Sequence, residues 1–515
     1  MRTAEDLGAF SRPGWAERLD VRSLATAATF AVTISIYSMT LLRGVSSFDS
    51  AEMQTVPPTL GIAHPTGYPL WTILGFAWTR LPISSPALMM NLLSAILFAL
   101  VAATLTLISM RLGVRPLLAC VAAVSFAFAG ETWARATQAE VHSLHTLLMA
   151  LFLLAWITAE QTGSRRAALA MIGLTAVGLT HHRLMAITAP PVLLWFFARN
   201  LGMLRSRTFA LDAVLCALTP LLVYAYVPIR AGQDPRVVNS DMSGGAVPII
   251  RGDVFASHEH AFAAASPGNW WRALPTYGDL GVRWLGWPVA ILAVVGTICL
   301  LRGRWPILVG LALIVFASTW GLANRTDLDY RWLIMPLFVC CLLAAVGLEA
   351  LVSLLGRTAG ERGLRRESWI AAAALLIPLG AVASHYSSYD RSGDRRDLVN
   401  GERILSALPS HSVIWSYWDV RTTLQYLVEI ENLRPDVTVL DHRAYGKYGT
   451  GNDVAVALGV AADPALAGRP LYYLPSNDQE RQAVARRYTL RPAVKVEIPY
   501  GFDDRRNGWL FAVRR

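Results

Sequence analysis

Lysine is almost missing from this 515-residue chain: only Lys447 and Lys495 accompany the arginines among its 46 basic residues. The formal net charge of +10 is therefore arginine spread thinly along the whole length, not the clustered basic patch of a nucleic-acid-binding protein, and DNA and RNA are discounted as partners. Cysteine is scarce too. Cys120, Cys216, Cys299, Cys340 and Cys341 all fall in apolar runs, where they act as small hydrophobes, so neither a disulfide framework nor a zinc ribbon can be drawn from them. Charged residues make up 16% of the chain, against roughly a quarter in an ordinary soluble domain. With 54% hydrophobic residues and a mean hydropathy of +0.41, the composition excludes disorder and a soluble enzyme and describes a polytopic membrane protein. No internal repeat and no low-complexity tract is present. The first 23 residues are polar and mixed in charge, unlike a cleavable leader, so the first apolar run is expected to serve as the insertion signal.

Crossing a hydrocarbon core of ~30 Å takes about 20 helical residues. Apolar stretches suited to this occur near 24–42, 87–109, 116–130, 143–159, 167–181, 184–198, 209–228, 284–301, 305–322, 331–355 and 369–384, which predicts about eleven transmembrane helices. Arginine alternates between the short connections. One side holds Arg2, Arg12, Arg18 and Arg22, then Arg111 and Arg115, Arg165 and Arg166, Arg199, Arg205 and Arg207, Arg302 and Arg304, and finally the group from Arg357 to Arg366. Positive charge marks cytoplasmic loops, so the N-terminus is expected in the cytoplasm. Segments 43–86, 131–142, 181–183, 229–283 and 323–330, and everything after residue 384, are expected outside. The chain thus divides into a membrane part, 1–384, and a soluble extracytoplasmic part, 385–515. In the latter, helical patterns at 397–408, 422–431 and 477–488 alternate with strand patterns at 412–418, 436–441, 470–474, 492–498 and 508–514, which predicts a small α/β domain. It carries no glycine fingerprint for a nucleotide.

The unusual chemistry sits in the predicted external segments. In the first, Phe48-Asp49-Ser50-Ala51-Glu52 is followed, after an expected break at Pro57-Pro58, by Leu60-Gly61-Ile62-Ala63-His64-Pro65-Thr66-Gly67-Tyr68-Pro69-Leu70. Asp49 and Glu52 are three residues apart and share one face of a helical turn. Each raises the other's proton affinity unless a cation or donor intervenes, an arrangement suited to a general base. In the second segment Glu131 and Arg135 are four apart, Glu140 follows, and Arg135, Gln138, His142 and His145 recur at helical spacing on one expected stripe. Ionisable groups at that depth are costly unless they face a cavity or one another. The third segment, Thr180-His181-His182-Arg183, places three basic-capable groups in one short turn, a candidate anion seat. Tyr224 to Arg230 and Asn324-Arg325-Thr326-Asp327-Leu328-Asp329-Tyr330-Arg331 complete the set. Arg230 and Arg331 lie on the side where the positive-inside bias does not favour them, and guanidinium forks there suit bidentate contact with phosphate. Together the clusters describe a site with carboxylates on one wall and Arg and His on the other, fit for a lipid-phosphate donor and an acceptor that must lose a proton.

The first-segment pattern, Asp49-Ser50-Ala51-Glu52 with Leu60 to Leu70, resembles the signature of a membrane family whose eukaryotic relatives include a protein O-mannosyltransferase of the secretory pathway. The resemblance extends through Gln138-Ala139-Glu140-Val141, Gly178 to His182, Tyr224 to Arg230 and Arg434-Pro435-Asp436-Val437; the loop 232–280 lies outside it. It implies a GT-C-like glycosyltransferase fold, in which a multispan enzyme takes sugar from a polyprenyl-phosphate carrier on the non-cytoplasmic face. It further implies that Asp49, with Glu52 beside it, is the catalytic base or a metal ligand.

Residues and resemblance together are read as an inverting membrane glycosyltransferase in a bacterial inner (cytoplasmic) membrane. Asp49 and Glu52 are the catalytic candidates. His64, Tyr68, Arg135, His142, His181, His182, Arg183, Arg230 and Arg331 are the donor- and phosphate-binding candidates, and Glu140, Asp327, Asp329 and Tyr330 are supporting or acceptor-side candidates. The expected donor is a polyprenyl-phosphate sugar, with mannose among the choices, and the acceptor a protein, lipid or glycan. No cofactor is required by the sequence; a divalent metal is compatible with Asp49, Glu52 and His64, whose spacing forms no recognised closed ligand set. The alternative is a transporter or flippase for a lipid-linked sugar or anion. Ionisable groups at the membrane edge also mark substrate paths, but the inverted repeats common in transporters are missing.

Overall fold

The computed structural model describes residues 20–240, 245–251, 266–324, 329–357, 369–416, 418–441, 443–448, 453–500 and 504–514. Its membrane part is built on helices α1 (Val21–Thr40), α2 (Phe48–Thr59), α3 (Pro69–Thr79), α4 (Pro86–Arg111), α5 (Pro116–Ala127), α6 (Gly130–Ala136), α7 (Val141–Thr162), α8 (Arg165–Leu179) and α9 (Leu184–Arg199), followed by α10 (Arg207–Leu218), α11 (Pro267–Leu285), α12 (Trp287–Gly303), α13 (Trp305–Ala323), α14 (Ile334–Arg357) and α15 (Leu376–Tyr389). Proline opens many of them. Pro69, Pro86, Pro116, Pro267, Trp287-Pro288 and Trp305-Pro306 all place it in the first turn, where the missing N–H would be unpaired anyway.

Every predicted span falls on a helix. Among the described residues, seven helical segments are long and apolar enough to cross a membrane alone: Val21–Thr40, Pro86–Arg111, Val141–Thr162, Arg207–Ala231, Trp305–Ala323, Tyr330–Leu355 and Trp369–Tyr389. Two more are bent pairs, α5 with α6 at 71° and α11 with α12 at 114°; the second bend turns at Gly286, whose φ is +81°. The remaining two predicted spans, α8 and α9, have 15 and 16 residues, about 22–24 Å of helix, shorter than the hydrocarbon core. α4 and α7 are the most buried segments, whereas Arg207–Ala231 turns Leu211, Leu215, Leu218 and Leu222 outward, as a lipid-facing helix does. α12 and α14 meet at two glycines: a Cβ on Gly296 would lie 1.9 Å from the Leu343 carbonyl oxygen, and one on Gly347 2.0 Å from that of Leu292. Small residues permit this backbone-to-backbone approach.

Two local expectations change. Pro57 and Pro58 lie inside the last turns of α2, which ends at Leu60 in the left-handed region. The expected stripe of Arg135, Gln138, His142 and His145 is not one helix, because the chain leaves α6 after Ala136 and enters α7 at Val141. Gln138 faces elsewhere and accepts a hydrogen bond from Arg391.

The C-terminal α/β domain contains α16 (Arg396–Ser406), β1 (Val413–Ser416), α17 (Trp418–Glu429), β2 (Thr438–Val439), α18 (Asp453–Ala462), β3 (Leu471–Leu474), α19 (Asp478–Ala485), β4 (Thr489–Tyr500) and β5 (Asp504–Arg514). The sheet order is β2-β1-β3-β5-β4. β2, β1 and β3 are parallel, and β5 and β4 form an antiparallel hairpin on the β3 side. The run 412–418, expected as strand throughout, stops at Ser416, and Trp418 already belongs to α17. α17 packs along α2, and Ala51 of α2, with Val45 before it and Ala87 at the start of α4, joins Val420, Leu424 and Leu427 in one cluster. The domain is tied down at its entry as well: the Arg391 N–H donates to the Thr40 carbonyl (3.0 Å), and Asp394 accepts from both Arg391 and Arg396 at 2.9 Å.

Candidate active site

The site is set up by the buried amide of Asn91 on α4. Its Nδ2 donates to the Leu42 carbonyl (2.8 Å), while its Oδ1 accepts from Gln54 Nε2 and from the Ala139 N–H, both at 2.8 Å. One α4 side chain thereby fixes the end of α1, the helix α2 and the α6–α7 connection relative to one another. Glu140, at the start of α7, donates its N–H to Ser94 Oγ (2.8 Å) on the same helix. The turn after α2 is held from the other side. Ile62 pairs with Val237 and Asn239 at 3.0 and 2.7 Å, Tyr226 Oη donates to the Gly61 carbonyl (2.7 Å), and Arg230 Nε donates to that of Leu60 (2.8 Å).

Asp49 lies in the first turn of α2. Its Oδ2 accepts from Arg331 Nη1 at 3.3 Å and its Oδ1 from Trp418 Nε1 at 3.1 Å. Burial alone would raise its pKa, but the charges of His64 and Arg331 outweigh that and hold the carboxyl below its ordinary value. The elevation that the sequence spacing predicts for Asp49 is thus outweighed by the cations beside it. Glu52 is fully buried and committed to His64: it accepts from the His64 N–H at 2.7 Å and pairs with Nδ1 of the same residue. Burial disfavours the imidazolium, yet Glu52, and behind it Asp49, raise the His64 pKa. Asp49, Glu52 and His64 offer ligand atoms within 4.8 Å of one another, close enough for a divalent cation provided the cation replaces the proton between His64 and Glu52.

A second carboxylate, Glu140, gathers the groups of the opposite wall. Its Oε2 lies 3.6 Å from Arg331 Nη1 and 3.9 Å from Arg135 Nη1, and its Oε1 2.9 Å from His142 Nδ1. Burial opposes ionisation, but Arg331 first, then His142 and Arg135, keep Glu140 well below the carboxylate range. Arg135 also makes the expected four-apart pair with Glu131 (2.7 Å). Asp329 orients Arg331 through Nε at 2.6 Å and Nη2 at 3.1 Å, leaving Nη1 aimed at Asp49 and Glu140. Arg331 therefore links the two walls.

Tyr68 sits between His64 and the histidine turn, its ring 5.0 Å from His64, 6.1 Å from His181 and 5.8 Å from His182. His142 and His182 approach to 4.5 Å, and His145 and His182 to 5.4 Å. His181 Nε2 donates to the Val141 carbonyl (2.7 Å), and the Leu184 N–H donates to His182 Nδ1 (3.1 Å). Burial pushes His181 down to about 4 and, with the neighbouring imidazoles, takes His182 well below its ordinary value. Both are neutral near pH 7, so the positive charge of this wall comes from Arg135, Arg331 and Arg183, whose field reaches Tyr68.

Of the other sequence candidates, Arg230 is spent on Leu60 and on Gln233 Oε1 (2.5 Å), bracing the loop and making no contact with Asp49. Tyr330 packs against Trp284, and Asp327 lies outside the described residues. Sequence reading passed over Asn91, Gln54, Trp418 and Asp419. Asn91 and Gln54 are single amides in apolar surroundings and give no pattern. Trp418 and Asp419 follow the strand β1, and the carboxyl ends of parallel strands are where α/β sheets place ligands; that signal was available.

Residues 49–204 match the family model described as the Protein O-mannosyl-transferase TMEM260 N-terminal domain. The chain is 27% identical over 453 residues to Protein O-mannosyl-transferase TMEM260 of Mus musculus, covering 80% of this chain and 62% of that protein. It is 22% identical over 459 residues to Protein O-mannosyl-transferase tmem260 of Dictyostelium discoideum, covering 79% and 55%. The chain thus spans less than two thirds of the length of these relatives. The crystal structure of ArnT from Cupriavidus metallidurans bound to undecaprenyl phosphate superimposes over 98% of both chains with a TM-score of 0.57 at 13% identity. That likeness shows the GT-C-like fold expected from the sequence.

Proposed function

We propose that this chain is an integral membrane glycosyltransferase that moves a sugar, mannose being the first to test, from a polyprenyl-phosphate carrier to a hydroxyl group on the extracytoplasmic face, with inversion. The observation that carries the reading is the state of the three carboxylates. The Asp49 side chain is 34% exposed, whereas Glu52 is 0% and Glu140 3% exposed. Asp49 is therefore the one of the three that combines ionisation with an edge open to an incoming group.

Asp49 takes the acceptor hydroxyl proton as that oxygen bonds to the anomeric carbon. The bond from that carbon to the phosphate oxygen breaks, and its electron pair leaves on the lipid phosphate. Arg331, Arg135 and Arg183 face the departing anion; fixed cations aimed at developing charge are commonly the largest single contribution to such a step. The His142 ring and the neutral imidazoles of His181 and His182, with Tyr68, line the donor side as hydrogen-bonding and ring surfaces. The names of the relatives favour a protein hydroxyl as acceptor, and the undecaprenyl phosphate in the ArnT crystal favours a carrier of that class. The arginine distribution supports a cytoplasmic N-terminus with the C-terminal domain outside; a bacterial inner membrane is the setting proposed.

The test is release of polyprenyl phosphate from polyprenyl-phosphate mannose, and from the corresponding glucose and galactose lipids, by the purified protein. Binding without release from any of them contradicts the reading and points to transport. A divalent ion would be held by Asp49, Glu52 and His64, where it would polarise the phosphate. Because His64 and Arg331 already balance these carboxylates, release is expected to persist in excess chelator; its loss and recovery on adding the metal would place the ion in the reaction.

A further inference from the structure

The carboxyl ends of the parallel strands β2, β1 and β3 face the membrane part. Beyond β2, Asp441 Oδ2 accepts from the Val238 N–H (3.3 Å) in the loop that pairs with Ile62. Beyond β1, Trp418 reaches Asp49. An indole N–H can only donate, and a partly buried one seeks an acceptor; here it takes one oxygen of Asp49, while Arg331 takes the other. One donor from each part of the protein thus grips the carboxylate, and it cannot rotate without losing both.

The indole is itself held. The Arg421 guanidinium lies 4.9 Å above the Trp418 ring and 5.4 Å above that of Trp415. The edge of Trp418 meets His64 at 6.0 Å and 88°. Farther along α17, Thr423 Oγ1 donates to the Ser46 carbonyl (2.8 Å), and Tyr426 Oη accepts from the Ala87 N–H (3.1 Å). These contacts tie α17 to the segment just before α2 and to the first turn of α4.

We propose that the C-terminal domain is part of the catalytic centre, with Trp418 as the residue that positions Asp49. The inference rests on the reading of Asp49 as the base. Misplacing a base by a fraction of its reach lowers the chemical step and leaves donor binding alone, so the role has a kinetic signature that packing alone does not share.

The experiment uses the full-length protein in detergent and whichever of the three polyprenyl-phosphate hexoses the parent turns over, comparing Trp418→Phe, Trp418→His and Asp49→Asn by kcat, donor KM and melting temperature. Trp418→Phe keeps a ring under Arg421 but removes the donor, and kcat is expected to fall about ten- to a hundredfold, as for loss of one hydrogen bond to a charged group, with donor KM and melting temperature unchanged. In Trp418→His the flipped imidazole places Nε2 where the indole Nε1 stood, and most of the rate is expected to return. Parental kcat in Trp418→Phe beside an inactive Asp49→Asn overturns the inference and leaves the base assignment standing. A loss that His does not restore, or one matched by a fall in melting temperature in both variants, assigns Trp418 to packing and overturns it too. Full turnover by Asp49→Asn removes the base itself, and with it anything for Trp418 to position; a parent that turns over none of the three lipids has the same consequence.

Discussion

Asp49 and Glu52 share a helical turn and differ in every other respect. Asp49 keeps an open edge and is paired at both oxygens by groups from distant segments; Glu52 is sealed beneath His64. The two substitutions should therefore fail differently. Asp49→Asn preserves shape and is expected to retain folding and donor binding while losing transfer by a factor of about 10² or more, the usual worth of a general base. Glu52→Gln leaves the His64 charge without its partner in a closed setting and is expected to cost on the order of 3 kcal/mol of stability, seen as a lowered melting temperature. Equal kcat losses with unchanged melting in both would mean that the two carboxylates share the base role.

Contacts between elements carry two further consequences. α12 and α14 touch backbone to backbone at Gly296 and Gly347, so Gly296→Ala must push the helices apart. A loss of about 1–3 kcal/mol is expected, as for other overpacked interiors, and thermal unfolding in detergent would read it; an unchanged melting temperature would contradict the close approach. At the α2–α17 contact, burial and the nearby Asp49 carboxylate push Asp419 up to about 8, with Arg506 pulling the other way. A carboxyl whose folded pKa is raised favours the folded state when protonated, so its contribution is full below about pH 4 and is lost as pH climbs towards 8. Melting temperature should accordingly fall across that window more steeply in the parent than in Asp419→Asn. Parallel profiles would show that Asp419 does not titrate there.

At the scale of the whole molecule, the segments expected on one side of the membrane do meet. The first loop, the α6–α7 connection, the histidine turn, the stretch before α14 and the C-terminal domain come together, through Arg331–Asp49, Arg391–Gln138, Trp418–Asp49 and Tyr68–His182. Their orientation is open to a direct measurement. A cysteine replacing exposed Ser410 should react with an impermeant thiol reagent added to intact cells, and one replacing exposed Thr162 should react only after permeabilisation. The reverse result would invert the topology and remove an extracytoplasmic lipid-linked donor.

Periodicity and composition by themselves determined the apolar segments and the alternation of the C-terminal elements, and they alone carry the expected sidedness of the loops, because the cost of burying backbone and charge in hydrocarbon is set residue by residue along the chain. They also marked Asp49, Glu52, Glu140, Arg135 and Arg331, since an ionisable group in an apolar setting stands out wherever it lies. Which of these carboxylates is open, which cation neutralises which, and why His181 and His182 are uncharged were decided only by the tertiary structure. Those states depend on distances between groups as far apart in sequence as Asp49, Arg331 and Trp418. No local pattern encodes such a distance; it arises where Asn91 on α4 and α17 of the C-terminal domain both hold the same short helix.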